Sequence, residues 1–116
     1  MADSKRVHIV NGVESALINI QDRGLQYGDG LFETIAIFNG SPILLDLHIS
    51  RLSLGLERLY FPELDLSKLQ ASILEHSKRY EQAILKLIIT RGPSERGYAP
   101  PSEPDITTII SITEYS

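Results

Sequence analysis

The chain contains no cysteine. That excludes disulfides, thiolate nucleophiles, and zinc or iron–sulfur centres held by cysteine. A basic surplus is missing as well: eleven Lys and Arg face fifteen Asp and Glu, for a net charge of −4 and a pI near 5.3. Such a chain sets up no positive field for nucleic acid, so no nucleic-acid partner is expected. No apolar run approaches the roughly 20 residues that span a bilayer. The opening residues, MADSKRVHIV, carry neither the apolar core nor the small-residue cleavage site of a signal peptide. No membrane association is expected, and the expected compartment is the cytoplasm. The sequence has no internal repeat, no low-complexity run and no interdomain linker. A single domain of 116 residues remains, 42% hydrophobic and 22% charged, long enough for one core.

What is present concentrates between Asp22 and Thr34, in DRGLQYGDGLFET. Gly24, Gly28 and Gly30 fall within seven positions and feed directly into an apolar, β-rich run. Glycine admits positive φ and close backbone approach, so this stretch reads as a turn pressed against a ligand or another chain. An ordinary surface turn is the other reading. Ahead of it, residues 7–10 and 13–20 flank Asn11-Gly12 and read as two strands joined by a tight turn. Behind it, 31–38 and 42–45 flank Asn39-Gly40 as a second hairpin. Alternation in 31–38 puts Leu31, Glu33, Ile35 and Ile37 on one face, and Phe32, Thr34, Ala36 and Phe38 on the other. Glu33 and Thr34 are expected to reach solvent at a strand end.

From Asp46 the period changes. Ile49, Leu52, Leu56 and Leu59 recur at helical spacing, so 46–59 is an amphipathic helix with Asp46 as N-cap. Pro62 stops it. A second helix starts at Ser67, with Gln70 completing a capping box, and runs to about Arg79 with Leu69, Ile73, Ser77 and Tyr80 inward. Residues 83–90, AILKLIIT, read as a buried central strand. Residues 91–103 form a Gly/Pro/Ser loop, and 106–113 a final strand. Strands, two helices, then strands imply an α+β fold: an antiparallel sheet with two helices packed on one face.

The candidate chemistry is sparse. His8, His48 and His76 follow no metal-ligand spacing, so no metal site is expected, and His8 and His76 are read as surface or internally satisfied residues. Arg51 lies three residues after His48, so both share a helical face able to bind an anion or simply to be solvated. Lys86 alone interrupts an apolar strand. Buried, it would suit covalent chemistry with carbonyls; the outward orientation is expected instead. Arg91, Arg96 and Tyr98 cluster in the loop, where a guanidinium offers bidentate geometry to a carboxylate. Taken alone, these residues give an α+β domain with an anion site.

Five segments, in order, carry a resemblance: NG of the opening hairpin, DRGLQYGDGLFET at 22–34, NG ahead of LLDLHISRL at 44–52, LKLIITRG at 85–92 and ERGYAP at 95–100. Together they resemble the N-terminal domain of the fold-type IV pyridoxal-phosphate enzymes, the class IV aminotransferase family, and most closely its aminodeoxychorismate lyase branch. The resemblance implies pyridoxal 5'-phosphate as cofactor, with Arg51 at the position that binds its phosphate. It places Phe32 where the family lines the substrate pocket. Arg96 and Tyr98 fall in the loop that reaches the substrate in the neighbouring subunit of a homodimer. The RGY form favours the lyase, because D-amino-acid aminotransferases resemble it but carry histidine where Tyr98 stands.

The implied activity is conversion of 4-amino-4-deoxychorismate to 4-aminobenzoate and pyruvate, for folate biosynthesis. Alternatives are the N-terminal domain of a branched-chain or D-amino-acid aminotransferase, or a non-catalytic dimerisation module. One departure matters most. The family's cofactor-attaching lysine and the glutamate partner of the pyridine nitrogen belong to a second domain, beyond residue 116. Lys86 matches only a strand lysine of the first domain. Residues 1–116 are therefore expected to be the N-terminal domain of a two-domain enzyme, without a catalytic residue and inactive alone.

Overall fold

The structure, a computed structural model, describes residues 6–95 and 103–115. Among these, period-two apolar alternation builds six strands: β1 (Arg6–Val10), β2 (Val13–Glu14), β3 (Gly30–Phe38), β4 (Ser41–Pro42), β5 (Gln82–Thr90) and β6 (Thr107–Glu114). All pair antiparallel, in the order β2-β1-β6-β5-β3-β4. Helices α2 (Leu45–Arg58) and α3 (Leu66–Ser77) lie between β4 and β5 in sequence, and α1 (Arg23–Tyr27) precedes β3. The α+β expectation, an antiparallel sheet with helices on one face, holds.

The core forms on one face of the sheet. Ile35 and Ile37 of β3, Leu85, Leu87 and Ile89 of β5, and Ile110 and Ile112 of β6 are at most 3% exposed. Leu52, Leu56, Leu69 and Ile73 of α2 and α3 join them in one cluster. Each such side chain contributes about 1.5–3 kcal/mol on burial. The other face of the sheet is open: Phe32, Phe38 and Lys86 are all exposed. On that face of central strand β5, Ile84 and Lys86 are exposed and only Thr90 is buried, so the reading of 83–90 as a buried strand holds for its core-facing side chains alone. No helix among the described residues is long and apolar enough to cross a membrane.

Both Asn-Gly turns form as expected, with positive φ at Asn11, Gly12, Asn39 and Gly40. The strand expected over 13–20 ends at Glu14, because Ser15 Oγ accepts from the Leu17 amide and curls the chain away. The N-caps also differ. Leu44, at φ 57°, precedes α2 without a side-chain cap, and Asp46 sits in the first turn, accepting from Gln70 Nε2 at 3.1 Å. Helix α3 is capped by Asp65, which accepts from the Lys68 amide at 3.1 Å and from Ser67 Oγ. Ser67 is thus the second helical residue rather than the cap.

Candidate functional site

The glycine-rich stretch is a buckle between distant parts of the chain. Asp22, 1% exposed, caps α1 by accepting from the Gly24 amide at 2.8 Å, and takes the Thr107 hydroxyl on its other oxygen at 2.7 Å. Gly28 closes α1 in the left-handed region, at φ 66°. Asp29 Oδ2 then accepts from Arg23 Nε at 2.8 Å and Arg91 Nε at 3.0 Å. Burial works against the Asp29 charge, but hydrogen bonds from Arg23 and Arg91 outweigh it and hold its pKa below the ordinary value. Arg91 continues to the carbonyls of Leu59 and Tyr60, at 2.7 and 3.3 Å, just beyond α2. Its guanidinium lies 4.2 Å from the centre of the Phe61 ring.

This arrangement resolves two open readings. A Cβ on Gly24 would lie 2.3 Å from Thr90 Cγ2, and one on Gly30 would lie 2.5 Å from the Ile89 carbonyl oxygen. Those glycines admit the end of β5, so the close approach is chain against chain. Arg91, offered as a carboxylate-binding loop residue, is 8% exposed and spends its charge on the internal Asp29. The same buckle fixes where the loop leaves β5: the Arg23 amide donates to Gly92 O at 2.8 Å, and the Ser94 amide to Gln21 O at 3.2 Å.

A second cluster joins β3 to α2. Glu33 points with Ile35 and Ile37 toward the helices and is 6% exposed. Its expected place at a solvent-reaching strand end is corrected: alternation sends it inward, and two residues of α2 compensate the charge. Arg51 donates from Nε to Oε2 at 2.9 Å and from Nη2 to Oε1 at 2.7 Å, a bidentate pair. His48 Nδ1 lies 2.6 Å from the same Oε1. The Arg51 hydrogen bond is the chief cause holding the Glu33 pKa below its ordinary value; burial opposes it and His48 assists. Glu33 in turn raises the Arg51 pKa. The Arg51 side chain remains 71% exposed, and its Nη1 makes no hydrogen bond among the described residues. A guanidinium so oriented keeps one edge for an external anion.

Phe32, one residue earlier, leaves the opposite face of β3 and is 62% exposed. The structure places it with Lys86, whose Nζ lies 4.7 Å from the ring centre, and not in the Arg51 cluster. Lys86 faces outward on the open sheet, as expected. His8 is internally satisfied, 2.7 Å from Ser111 Oγ. Arg96 and Tyr98 lie outside the described residues. Among those described, no group of three or more His, Asp or Glu is placed to hold a metal ion. The sequence reading missed Glu33 as the anchor of Arg51, although its shared face with Ile35 and Ile37 pointed inward.

Similarity to known proteins follows this geometry. The family model described as amino-transferase class IV matches residues 30–116, from the start of β3 onward. A D-alanine aminotransferase of Bacillus licheniformis is 35% identical over 78% of the chain, and an aminodeoxychorismate lyase of Vibrio harveyi 33% identical over 90%. The chain spans 34% and 39% of the lengths of these two relatives. The crystal structure of 4-amino-4-deoxychorismate lyase from Pseudomonas aeruginosa superimposes with a TM-score of 0.83 at 44% identity, over 89% of this chain and 38% of that one. A branched-chain aminotransferase from Escherichia coli shares the fold, with a TM-score of 0.81 at 19% identity over 94% of this chain and 41% of that one. From the strand that carries Phe32 and Glu33 to the end of the sheet, the chain belongs to the class IV aminotransferase family.

Proposed function

We propose that the chain forms the phosphate-binding and ring-binding part of a pyridoxal-phosphate-dependent aminodeoxychorismate lyase. The observation that carries this reading is Arg51, held bidentate by the buried Glu33 while its Nη1 edge faces solvent. A guanidinium fixed in that way presents a rigid donor edge to phosphate, which the residues present therefore fit. Glu33 orients the guanidinium and His48 braces the carboxylate. Phe32 offers a flat aromatic face to a six-membered ring. Arg96 and Tyr98 complete the neighbouring subunit's site in a homodimer, with the arginine contacting a substrate carboxylate.

Pyridoxal phosphate, when bound, supplies the electron sink that lets pyruvate depart as the ring becomes aromatic. None of the four lysines, Lys5, Lys68, Lys78 and Lys86, matches the family's cofactor-attaching lysine. Activity therefore requires the second domain, and the site is that of a two-domain cytoplasmic enzyme. The lyase is preferred to a transaminase by the 44% identity to the Pseudomonas aeruginosa protein.

The test uses the complete reading frame that carries this sequence. Its product is supplied with 4-amino-4-deoxychorismate, and 4-aminobenzoate is followed by fluorescence. Amino transfer from D-alanine or a branched-chain amino acid to a keto acid, without 4-aminobenzoate, would replace the lyase with a transaminase. Neither activity would leave a dimerisation module. Arg51→Ala should weaken cofactor affinity by about tenfold or more, as expected for loss of a charge-assisted contact; unchanged affinity would remove Arg51 from the phosphate site.

A further inference from the structure

Glu33 and Arg51 stand on different elements, β3 and α2, so the direction of the Arg51 donor edge depends on how the helix sits along the strand. His48, 2.6 Å from Glu33 Oε1, rides on the same helix and moves with Arg51. Gly55 lets α2 approach so closely that a Cβ there would lie 2.8 Å from Leu31 Cδ1. Apolar contact of that kind sets separation but is non-directional. Sliding of the helix along the strand is resisted by directional contacts.

Arg91 supplies them. It follows the last residue of β5, is 8% exposed, and commits every nitrogen of its guanidinium. Nε donates to Asp29 Oδ2 at 3.0 Å, Nη2 to Leu59 O at 2.7 Å and Nη1 to Tyr60 O at 3.3 Å. Its amide also donates to Asp29 O at 3.1 Å. Asp29 immediately precedes β3 and Leu59 immediately follows α2. At about 3.3 Å per strand residue, Asp29 lies about 13 Å along the chain from Glu33. At about 1.5 Å per helical residue, Leu59 lies about 12 Å along the helix from Arg51. One planar group therefore references both halves of the pair at nearly equal reach.

The helix end that Arg91 grips is strained. Tyr60 takes φ 57°, in the left-handed region where a helix usually ends on glycine, and its side chain is 89% exposed. Packing of the tyrosine ring repays little of that cost. Such a conformation persists where its surroundings over-determine it. Here they are the two carbonyl contacts of Arg91 and the Phe61 ring, whose centre lies 4.2 Å from the guanidinium.

We propose that Arg91 is a positioning residue for Arg51: through Asp29 and the carbonyls of Leu59 and Tyr60 it fixes α2 along β3 and so aims the Arg51 donor edge. A lysine in its place keeps a charge opposite Asp29 but has no planar fork to hold both carbonyls as well. The helix then slides, and the two-point contact of Arg51 with Glu33 loosens. What the edge receives rests on the reading of Arg51 as the phosphate residue; the aiming does not.

The test reads Glu33 in the product of the complete reading frame, cofactor-free and in phosphate-free buffer, by carboxyl ¹³C titration assigned with Glu33→Gln. In Arg91→Lys the Glu33 pKa should rise, because burial remains while the Arg51 hydrogen bond that chiefly holds it down weakens. Ile73→Val, a core substitution on α3, costs stability without touching this chain of contacts and should leave Glu33 at its wild-type value. Asp29→Asn cuts the same tie from the other side, so a poorly folding Arg91 variant does not decide the matter. Its sign discriminates: loss of a like charge acting through space would lower the Glu33 pKa, whereas loss of aim raises it. Cofactor affinity, read by absorbance, should fall about fivefold in Arg91→Lys, less than loss of a whole charge-assisted contact. A Glu33 titration unmoved by Arg91→Lys, moved as far by Ile73→Val, or lowered by Asp29→Asn overturns the proposal. A raised Glu33 in Arg91→Lys, with cofactor affinity indifferent to Arg51→Ala, removes phosphate from the reading and keeps the positioning. Affinity weakened by Arg51→Ala, with both readouts of Arg91→Lys at wild type, removes the positioning alone.

Discussion

Asp29→Asn is the sharpest test of the buckle. The substitution keeps the shape and one acceptor oxygen but removes the charge that two guanidiniums share. Those guanidiniums are well buried, with side-chain exposures of 5% for Arg23 and 10% for Arg91, against 17% for Asp29. Removing one partner of a buried ion pair costs about 3–5 kcal/mol. Here the cost is smaller, because Arg91 keeps the carbonyls of Leu59 and Tyr60, and Arg23 keeps the Ser94 hydroxyl. A loss of about 2.5 kcal/mol follows. At roughly 2.1 cal/mol/K per residue, 116 residues unfold with about 0.24 kcal/mol/K, so Tm should fall by about 10 °C.

Acid supplies the second half of this test. The folded-state pKa of Asp29 lies below its ordinary 3.8. A depressed carboxylate stabilises the fold fully above the unfolded pKa, and that contribution disappears as pH falls through the folded value. The gap between wild type and Asp29→Asn should therefore be widest at neutral pH and close below pH 3.8. Calorimetry at several pH values reads both effects. A neutral-pH shift under about 3 °C, or a gap that persists in strong acid, would refute the argument.

The second cluster makes a related prediction. Arg51→Ala removes the chief cause of the low Glu33 pKa and leaves burial as the main effect, so that pKa should rise, read by carboxyl ¹³C titration; a Glu33 still held below 4.5 would contradict it. Ser77 Oγ is wholly buried without a hydrogen-bond partner among the described residues, so Ser77→Ala should stabilise by about 1 kcal/mol in urea unfolding. Pyridoxal phosphate added to the 116-residue chain should leave no stoichiometric adduct at a unique lysine after borohydride; a clean adduct at Lys86 would overturn the domain assignment. Sedimentation at micromolar concentration should show self-association of the chain, which leaves many large apolar side chains exposed, and a well-behaved monomer would remove the dimer from the proposed function.

Local signals were readable where a single element satisfies itself. The two Asn-Gly turns and the alternation of 31–38 each rest on contiguous residues and the rules of one hairpin or strand. Helix α1 was hidden because only five residues form it, one of them Gly24, and its caps, Asp22 and Gly28, also suit an ordinary turn. The choice of Asp65 over Ser67 as cap depends on the incoming chain path, since both residue types serve. Glu33 and Arg91 were hardest. Burial of a charge is set by partners on other elements, 15 to 62 residues away, and no local period records them.

The two clusters meet at one strand edge. Strand β4 pairs only with Ile37 and Phe38, so the stretch of β3 that carries Phe32 and Glu33 has β5 on one side and, among the described residues, no strand on the other. Consecutive side chains leave opposite faces there: Phe32 to Lys86 on the open sheet, Glu33 to Arg51 under α2. On the proposed reading, a cofactor held by Arg51 and a ring held by Phe32 approach each other around that free edge. Register then decides function, because a slip of one residue would bury Phe32 and bring Glu33 beside Lys86. An edge half-strand resists slipping poorly by its own hydrogen bonds. Gly30 answers this, since its backbone lies so close to Ile89 that a Cβ cannot enter, and Asp29 ties the preceding turn to Arg91 at the end of β5. The glycine-rich stretch thus locks the pairing of β3 with β5 two residues before the first functional side chain, Phe32.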